Sequence, residues 1–134
     1  MNITEYASYF HDGSIIHIDH LDSTILISME TSELSEEDLH DDVELSEQNA
    51  LKGILHLENV KSLSVDGSPL YTKLAMLADE ANILRFEFAK NKVRFFVEWI
   101  NFPPKKEINL YSDIIIEFDN FFWENSPHLP DPFR

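Results

Sequence analysis

Hydrophobic and polar positions alternate with period two along much of this chain, the pattern of strands with one face buried. Ser14–Leu21 reads S-I-I-H-I-D-H-L, with Ile16 and Ile18 on one face and Ile15, His17 and Asp19 on the other. Asp22-Ser23 supplies a two-residue turn, since Asp tolerates left-handed backbone. Thr24–Glu30 then returns with Ile25, Ile27 and Met29 on one face, completing a first hairpin. Residues 51–66 are also strand-like, but the phase slips. Leu55 and Leu57 share one parity, Val60 takes the other, and Leu63 and Val65 return to the first. A bulge near Glu58-Asn59 would repair the register and bend a long strand across the core. Asp66-Gly67 closes it with a turn dipeptide.

The next stretch switches period. Ser68-Pro69 suits a helix start, and Leu70, Leu74, Leu77 and Ala81 fall on one helical face, so the spacing predicts one short helix over 69–81, with an extended Thr72–Leu77 as the alternative. Asn82–Ala89 reads as a strand with Leu84, Phe86 and Phe88 inward, and Lys90-Asn91 as a turn. The return, Lys92–Phe102, places Val93, Phe95, Val97 and Trp99 on one face and Phe96, Ile100 and Phe102 on the other. Apolar residues on both faces predict a central strand, or one that meets a partner. Pro103-Pro104 ends it. A last strand spans Tyr111–Trp123 around Ile114, Ile116 and Phe118, and a Pro-rich tail, 126–134, follows along the surface. The sum is one domain over 1–134, mainly β. It predicts an antiparallel sheet, curled or folded into a small sandwich, of about six to seven strands with one short helix; the alternative is α+β.

Charge changes the picture at one segment. The net charge is −15, and between Glu30 and Glu47 lie nine acidic residues with no Lys or Arg. Residues 31–49 therefore read as an acidic loop, with Ser35 ahead of Glu36, Glu37 and Asp38 as a start for one or two helical turns. Such a surface repels nucleic-acid phosphates and anionic lipid and attracts basic proteins. The residues expected to meet a basic partner are Glu36, Glu37, Asp38, Asp41, Asp42 and Glu44. No apolar run approaches the ~18 residues needed to span a bilayer. Neither a signal peptide at Met1–Phe10 nor a cysteine is present, which predicts a cytoplasmic protein without disulfides or thiolate metal sites. An apolar fraction of 43% is enough to build a core.

Candidate chemistry is sparse. His11, Asp12, His17, Asp19 and His20 form one cluster of metal-capable residues. On a strand, His17 and Asp19 would share a face about 6.6 Å apart, from a rise of ~3.3 Å per residue. A solvated strand face, with Asp12-Gly13 a simple turn, is the favoured account of them, and no metal, cofactor or catalytic residue is assigned. The phosphate loop, nucleophile elbow, dinucleotide fingerprint and calcium loop are all missing from the sequence. Trp99 with Phe95 and Phe96, and the run Phe121-Phe122-Trp123, are read as core or interface.

Phe10-His11-Asp12-Gly13 leads straight into an Ile-rich hairpin, and Val97-Glu98-Trp99 follows Ile83-Leu84-Arg85-Phe86. Over about half the chain this resembles small bacterial immunity-protein domains of polymorphic toxin systems and related uncharacterised families. The resemblance implies a non-enzymatic acidic protein that binds and neutralises a cognate toxin in the cytosol, and it transfers no contact residue. A small-molecule or metal-binding β domain, with His17, Asp19 and His20 near its mouth, is the alternative. A homodimer formed through Lys92–Phe102 is also expected.

Overall fold

The structure, a computed structural model, describes residues 1–39 and 42–130. The hairpin forms as the alternation predicts: β1 (Ser14–Leu21) and β2 (Thr24–Glu30), turned at Asp22 with φ 54°. Then come β3 (Lys52–Glu58), β4 (Ser62–Val65), β5 (Ser68–Pro69), β6 (Glu80–Ala89), β7 (Lys92–Ile100), β8 (Leu110–Glu117) and β9 (Asn120–Asn125). These nine antiparallel strands lie in one sheet, in the order β5-β4-β8-β7-β6-β1-β2-β3-β9. The count exceeds six to seven because two long strands are each broken once and a two-residue strand, β5, is added.

That order cannot lie flat. β3 and β4 are joined by Asn59–Lys61 yet stand six strand spacings apart, about 29 Å at ~4.8 Å each. Three linking residues reach only about half as far. β8 and β9 are separated by the same number of spacings and joined by Phe118-Asp119 alone. Two bends therefore fold the sheet over its own inner face. Asn59, at φ 55°, makes the first, where the phase slip near Glu58-Asn59 places it. Pairing runs on either side of the bends, from Gly53 opposite Asn125 to Glu58 opposite Asn120, and from Ser62 opposite Glu117 to Val65 opposite Ile114.

Two other bulges correct the predicted faces. Ile16 is an extra residue between the pairs Ile15–Met29 and His17–Ser28, so Ile15 and Ile16 are both buried. Leu84 is extra between Ile83–Val97 and Arg85–Phe96. Ala81 and Ile83 therefore face the core before it and Phe86 after it, while Leu84 is only half-buried. The β7 pattern holds without correction: Val93, Phe95, Val97 and Trp99 are buried, and the strand is paired on one side to β6 and on the other to β8. With both edges bonded, β7 offers no free edge for a dimer.

The helix predicted over 69–81 is not there. Asp66 (φ 54°) and Gly67 (φ 82°) make a tight turn that sends Ser68 and Pro69 back to pair with Val65 and Ser64. Pro69 sits on an edge strand, where its missing N–H costs no ladder bond. The chain beyond it, 70–79, is an irregular loop. Helical structure appears instead at Ile3–Phe10, a 3₁₀ helix in which the Asn2 side chain accepts the Thr4 N–H at 3.1 Å. Ile3, Tyr6 and Phe10, spaced by three and four, are its buried stripe. Phe10 meets Phe86 of β6 at 5.4 Å and Trp123 of β9 at 5.8 Å between ring centres, and Phe88 meets Phe121 at 4.9 Å. These rings join strands far apart in the sheet order, each pair adding about 1 kcal/mol beyond its burial.

Asp79, buried where β6 begins, accepts the Phe102 N–H at 2.8 Å and a hydrogen bond from the Lys105 ammonium. The Lys105 bond first, then the Phe102 N–H, hold its carboxyl below the ordinary carboxylate value. A carboxylate shifted down stabilises the fold above the unfolded-state value of about 3.9 and loses that contribution as pH falls through its lowered value. Wild type should therefore lose stability relative to Asp79→Asn as the pH is taken below about 4, read from acid-titrated melting curves.

Gly53 lies so close to β9 that a Cβ would meet the Glu124 carbonyl oxygen at 2.3 Å and the Trp123 ring at 2.7 Å, whereas one at Gly67 would meet nothing within 4 Å. Gly53→Ala should cost roughly 1–3 kcal/mol by overpacking. Gly67→Ala should cost about 1 kcal/mol, from backbone strain alone. Urea midpoints at an unchanged slope would rank the two.

Candidate interaction surface

Among the described residues the acidic segment is irregular chain, and its ends and apolar positions are fastened. Thr31 donates its N–H to the Leu51 carbonyl at 2.9 Å, and its hydroxyl accepts the Leu51 N–H at 2.9 Å. Leu34 is buried and gives its N–H to Asn49 O, and Leu39, Val43 and Leu45 pack against the core. Ser46 closes the far end, its N–H to Ala50 O and its hydroxyl accepting the Ala50 N–H. Each of these residues takes a main-chain or apolar partner inside the molecule, while Glu33, Glu37, Asp42 and Glu44 between them are exposed.

A single 3₁₀ turn, Glu36–Asp38, follows Ser35. Ser35 gives both its N–H and its hydroxyl to the Asp38 carboxylate, at 3.0 Å each, so Asp38 is half-buried and engaged. Glu37, Asp42 and Glu44 are exposed. Glu44 pairs with His128 at 3.3 Å, and its carbonyl accepts the Asn125 side-chain N–H at 3.0 Å. Asp41 lies outside the described residues, as do the Glu36 side chain and the tail residues 131–134. Glu30 opens the acidic run but is buried, 4.0 Å from Lys52 across the β2–β3 ladder.

Several cations elsewhere have local partners. Lys61 pairs with Asp119, Arg85 with Glu87, Lys92 with Glu117, and Arg94 holds Asp113 with two bonds of 2.8 and 3.0 Å. The doubled bond raises the Arg94 pKa above its ordinary value. Among the described residues, no Lys or Arg pairs with Glu33, Glu37, Asp42, Glu44 or Glu47. Among the described residues these carboxylates thus lack a Lys or Arg counter-ion, although each exposed pair elsewhere is individually weak.

The histidine cluster does not converge. His11 pairs only with its neighbour Asp12 at 3.2 Å, and His17 with Asp19 at 3.1 Å, both on exposed surface. His20, half-buried, turns to the 70–79 loop, its Nδ1 accepting the Leu74 N–H at 2.9 Å. Among the described residues, no group of three or more His, Asp or Glu side chains is placed to hold a metal ion. No helix there is long and apolar enough to cross a membrane.

Two surface features were not legible in the sequence. On β3 and β9, His56 stacks on Phe122 at 4.1 Å and meets Glu124, 68 residues further along the chain, at 2.8 Å. On β7 and β8, Phe96 stacks on Tyr111 at 6.1 Å, and the Tyr111 hydroxyl donates to Glu98 at 3.0 Å, which raises the Tyr111 pKa. The apolar second face of β7 is the one sequence signal for it. The C-terminal segment also folds back: Leu129 and Pro130 border a depression of ≈ 260 Å³ with Ile16, His17 and Ser28.

Neither protein-family models, curated proteins nor solved structures yield a match to this chain.

The fastening of the acidic segment makes a direct prediction. Thr31→Val removes the acceptor of a buried N–H and should destabilise the protein by roughly 1–3 kcal/mol. Glu37→Gln, on exposed surface, should stay within about 0.5 kcal/mol of wild type. Thermal melts of the two variants side by side would check the contrast.

Proposed function

We propose that this protein is a non-enzymatic acidic binder of a basic protein partner, and that it acts by covering and electrostatically blocking that partner. The observation that carries this reading is the segment Glu33–Glu47, whose exposed carboxylates lack Lys or Arg partners among the described residues while its apolar positions are tied to the core. A charged segment held on a fixed base keeps its field oriented, and oriented charge accelerates encounter with a complementary surface more than it tightens the final complex. Immunity-type neutralisation of a toxin is the sharper form, supported by the resemblance of Phe10-His11-Asp12-Gly13 and Val97-Glu98-Trp99 to such domains. Cytoplasmic residence belongs to the same proposal.

The test is kinetic. A partner recovered from the source cell by affinity capture is purified and its association measured against wild type. It is then measured against a variant with Glu36, Glu37, Asp38, Asp41, Asp42 and Glu44 changed to Gln or Asn. The expected result is an on-rate lowered roughly tenfold or more at low salt, with the two proteins converging as salt screens the charges. An unchanged low-salt on-rate for a basic partner would show the segment to be a passive solvated loop.

A further inference from the structure

Beneath the loop 70–79 lies a cavity of ≈ 190 Å³. Its floor is the inner face of the sheet, with Val65 beside β5, Trp99 on β7 and Ile114 on β8; its roof is Leu70, Leu74 and Leu77. The roof is an irregular stretch of chain, held at its middle by the bond from Leu74 N–H to His20 Nδ1. Leu77 is 55% exposed and Tyr71 93%, so apolar surface continues from the cavity to its rim.

One polar group interrupts the floor. Ser112, 2% exposed, lines the cavity, and its hydroxyl accepts the Trp99 indole N–H at 2.8 Å. A serine hydroxyl also has a proton to give. Among the described residues that proton has no acceptor, since the indole N–H is the one hydrogen-bond partner of Ser112 Oγ. Ser112 thus offers a buried donor inside mainly apolar walls, the other polar residues of the lining being Thr72 and Lys73 on the exposed loop. A donor left unmet in such surroundings is costly, so an occupant that accepts from it is favoured over one that cannot.

From this we infer that the cavity is a binding site for a small, uncharged, mainly apolar molecule carrying one hydrogen-bond acceptor, of the size of a single six-membered ring with a short carbonyl substituent. The volume sets the size, since an apolar cavity of about 150 Å³ in another protein accommodates benzene. Ser112 sets the acceptor. Occupancy would also fill the space under Leu74 and hold the loop 70–79 against the sheet. This site is independent of the acidic segment and stands whether or not a basic partner exists.

Acetophenone and ethylbenzene are matched probes, alike in ring and chain but differing in the carbonyl oxygen. Each is titrated into the full chain while the methyl resonances of Val65, Leu74 and Ile114 are followed by NMR. Acetophenone should give saturable shifts at these methyls, with intermolecular Overhauser contacts to the Trp99 indole, and bind roughly tenfold tighter than ethylbenzene, the scale of one hydrogen bond. Ser112→Ala should bring the two affinities together by weakening acetophenone alone. If Ser112→Ala fails to fold, the ratio in wild type decides. No saturable shift with either probe, contacts away from Trp99, or equal affinities in wild type would each overturn the assignment.

Discussion

The double bend at Asn59–Lys61 and Phe118-Asp119 governs the rest of the molecule. Across it the Lys61 N–H reaches Glu117 O at 2.7 Å and the Asp119 N–H reaches Glu58 O at 3.1 Å, so pairing carries through both bends. The Asp119 side chain accepts from Asn59 and pairs with Lys61 at 3.3 Å, tying the two bends to one another. A bend in one strand alone would tear it from its neighbour. Two bends in register turn the whole ribbon, and the sheet folds with it. Only then do Phe88 and Phe121, or Phe10 and Trp123, come within reach, and only then does one buried cluster run from Ile3 to Phe118.

Folding the sheet this way leaves gaps, and irregular chain covers them. The N-terminal 3₁₀ helix inserts Ile3, Tyr6 and Phe10, and the loop 70–79 lays Leu74 over Trp99. The acidic segment contributes Leu34, Leu39, Val43 and Leu45. These covers differ in how they are held. Helix and acidic segment are secured by several buried groups, whereas Leu74 is the one buried side chain of the 70–78 stretch and its N–H bonds to a single imidazole. Coverage that rests on few buried contacts opens at lower free energy than the strands beneath it. The cavity accordingly lies under the loop and not between strands.

Charge follows the same division. On the strands, acids and bases stand opposite or beside one another, as Arg94 does with Asp113 and Lys92 with Glu117. Along Glu33–Glu47 they do not, because that stretch makes its internal bonds through the main chain, Ser35, Ser46 and a few apolar side chains. Glu33, Glu37, Asp42 and Glu47 are exposed and have no ion-pair partner among the described residues. An acid-rich rim and an apolar pocket are therefore separate surfaces, and either could act without the other.

Local pattern determined most of the strands. Period-two runs, the turns at Asp22-Ser23, Asp66-Gly67 and Lys90-Asn91, and the phase slip at Glu58-Asn59 are properties of neighbouring residues, so they can be read without knowing what lies across the core. The stripe Ile3, Tyr6 and Phe10, spaced by three and four, is also local, but three positions alone do not mark a helix in the sequence. The apparent helix at 69–81 misled because Leu70, Leu74, Leu77 and Ala81 have helical spacing while Asp66-Gly67 and Pro69 already commit the chain to a hairpin. Other features were decided by tertiary structure. The bulges at Ile16 and Leu84 depend on the register of the facing strand, and the break at Phe118-Asp119 on a bend 59 residues earlier at Asn59. The place of Ser112 against Trp99, beneath a loop from another part of the chain, depends on the sheet having folded over. Spacing along a chain reports which side chains share a face; it carries no information on which distant face will come to lie opposite.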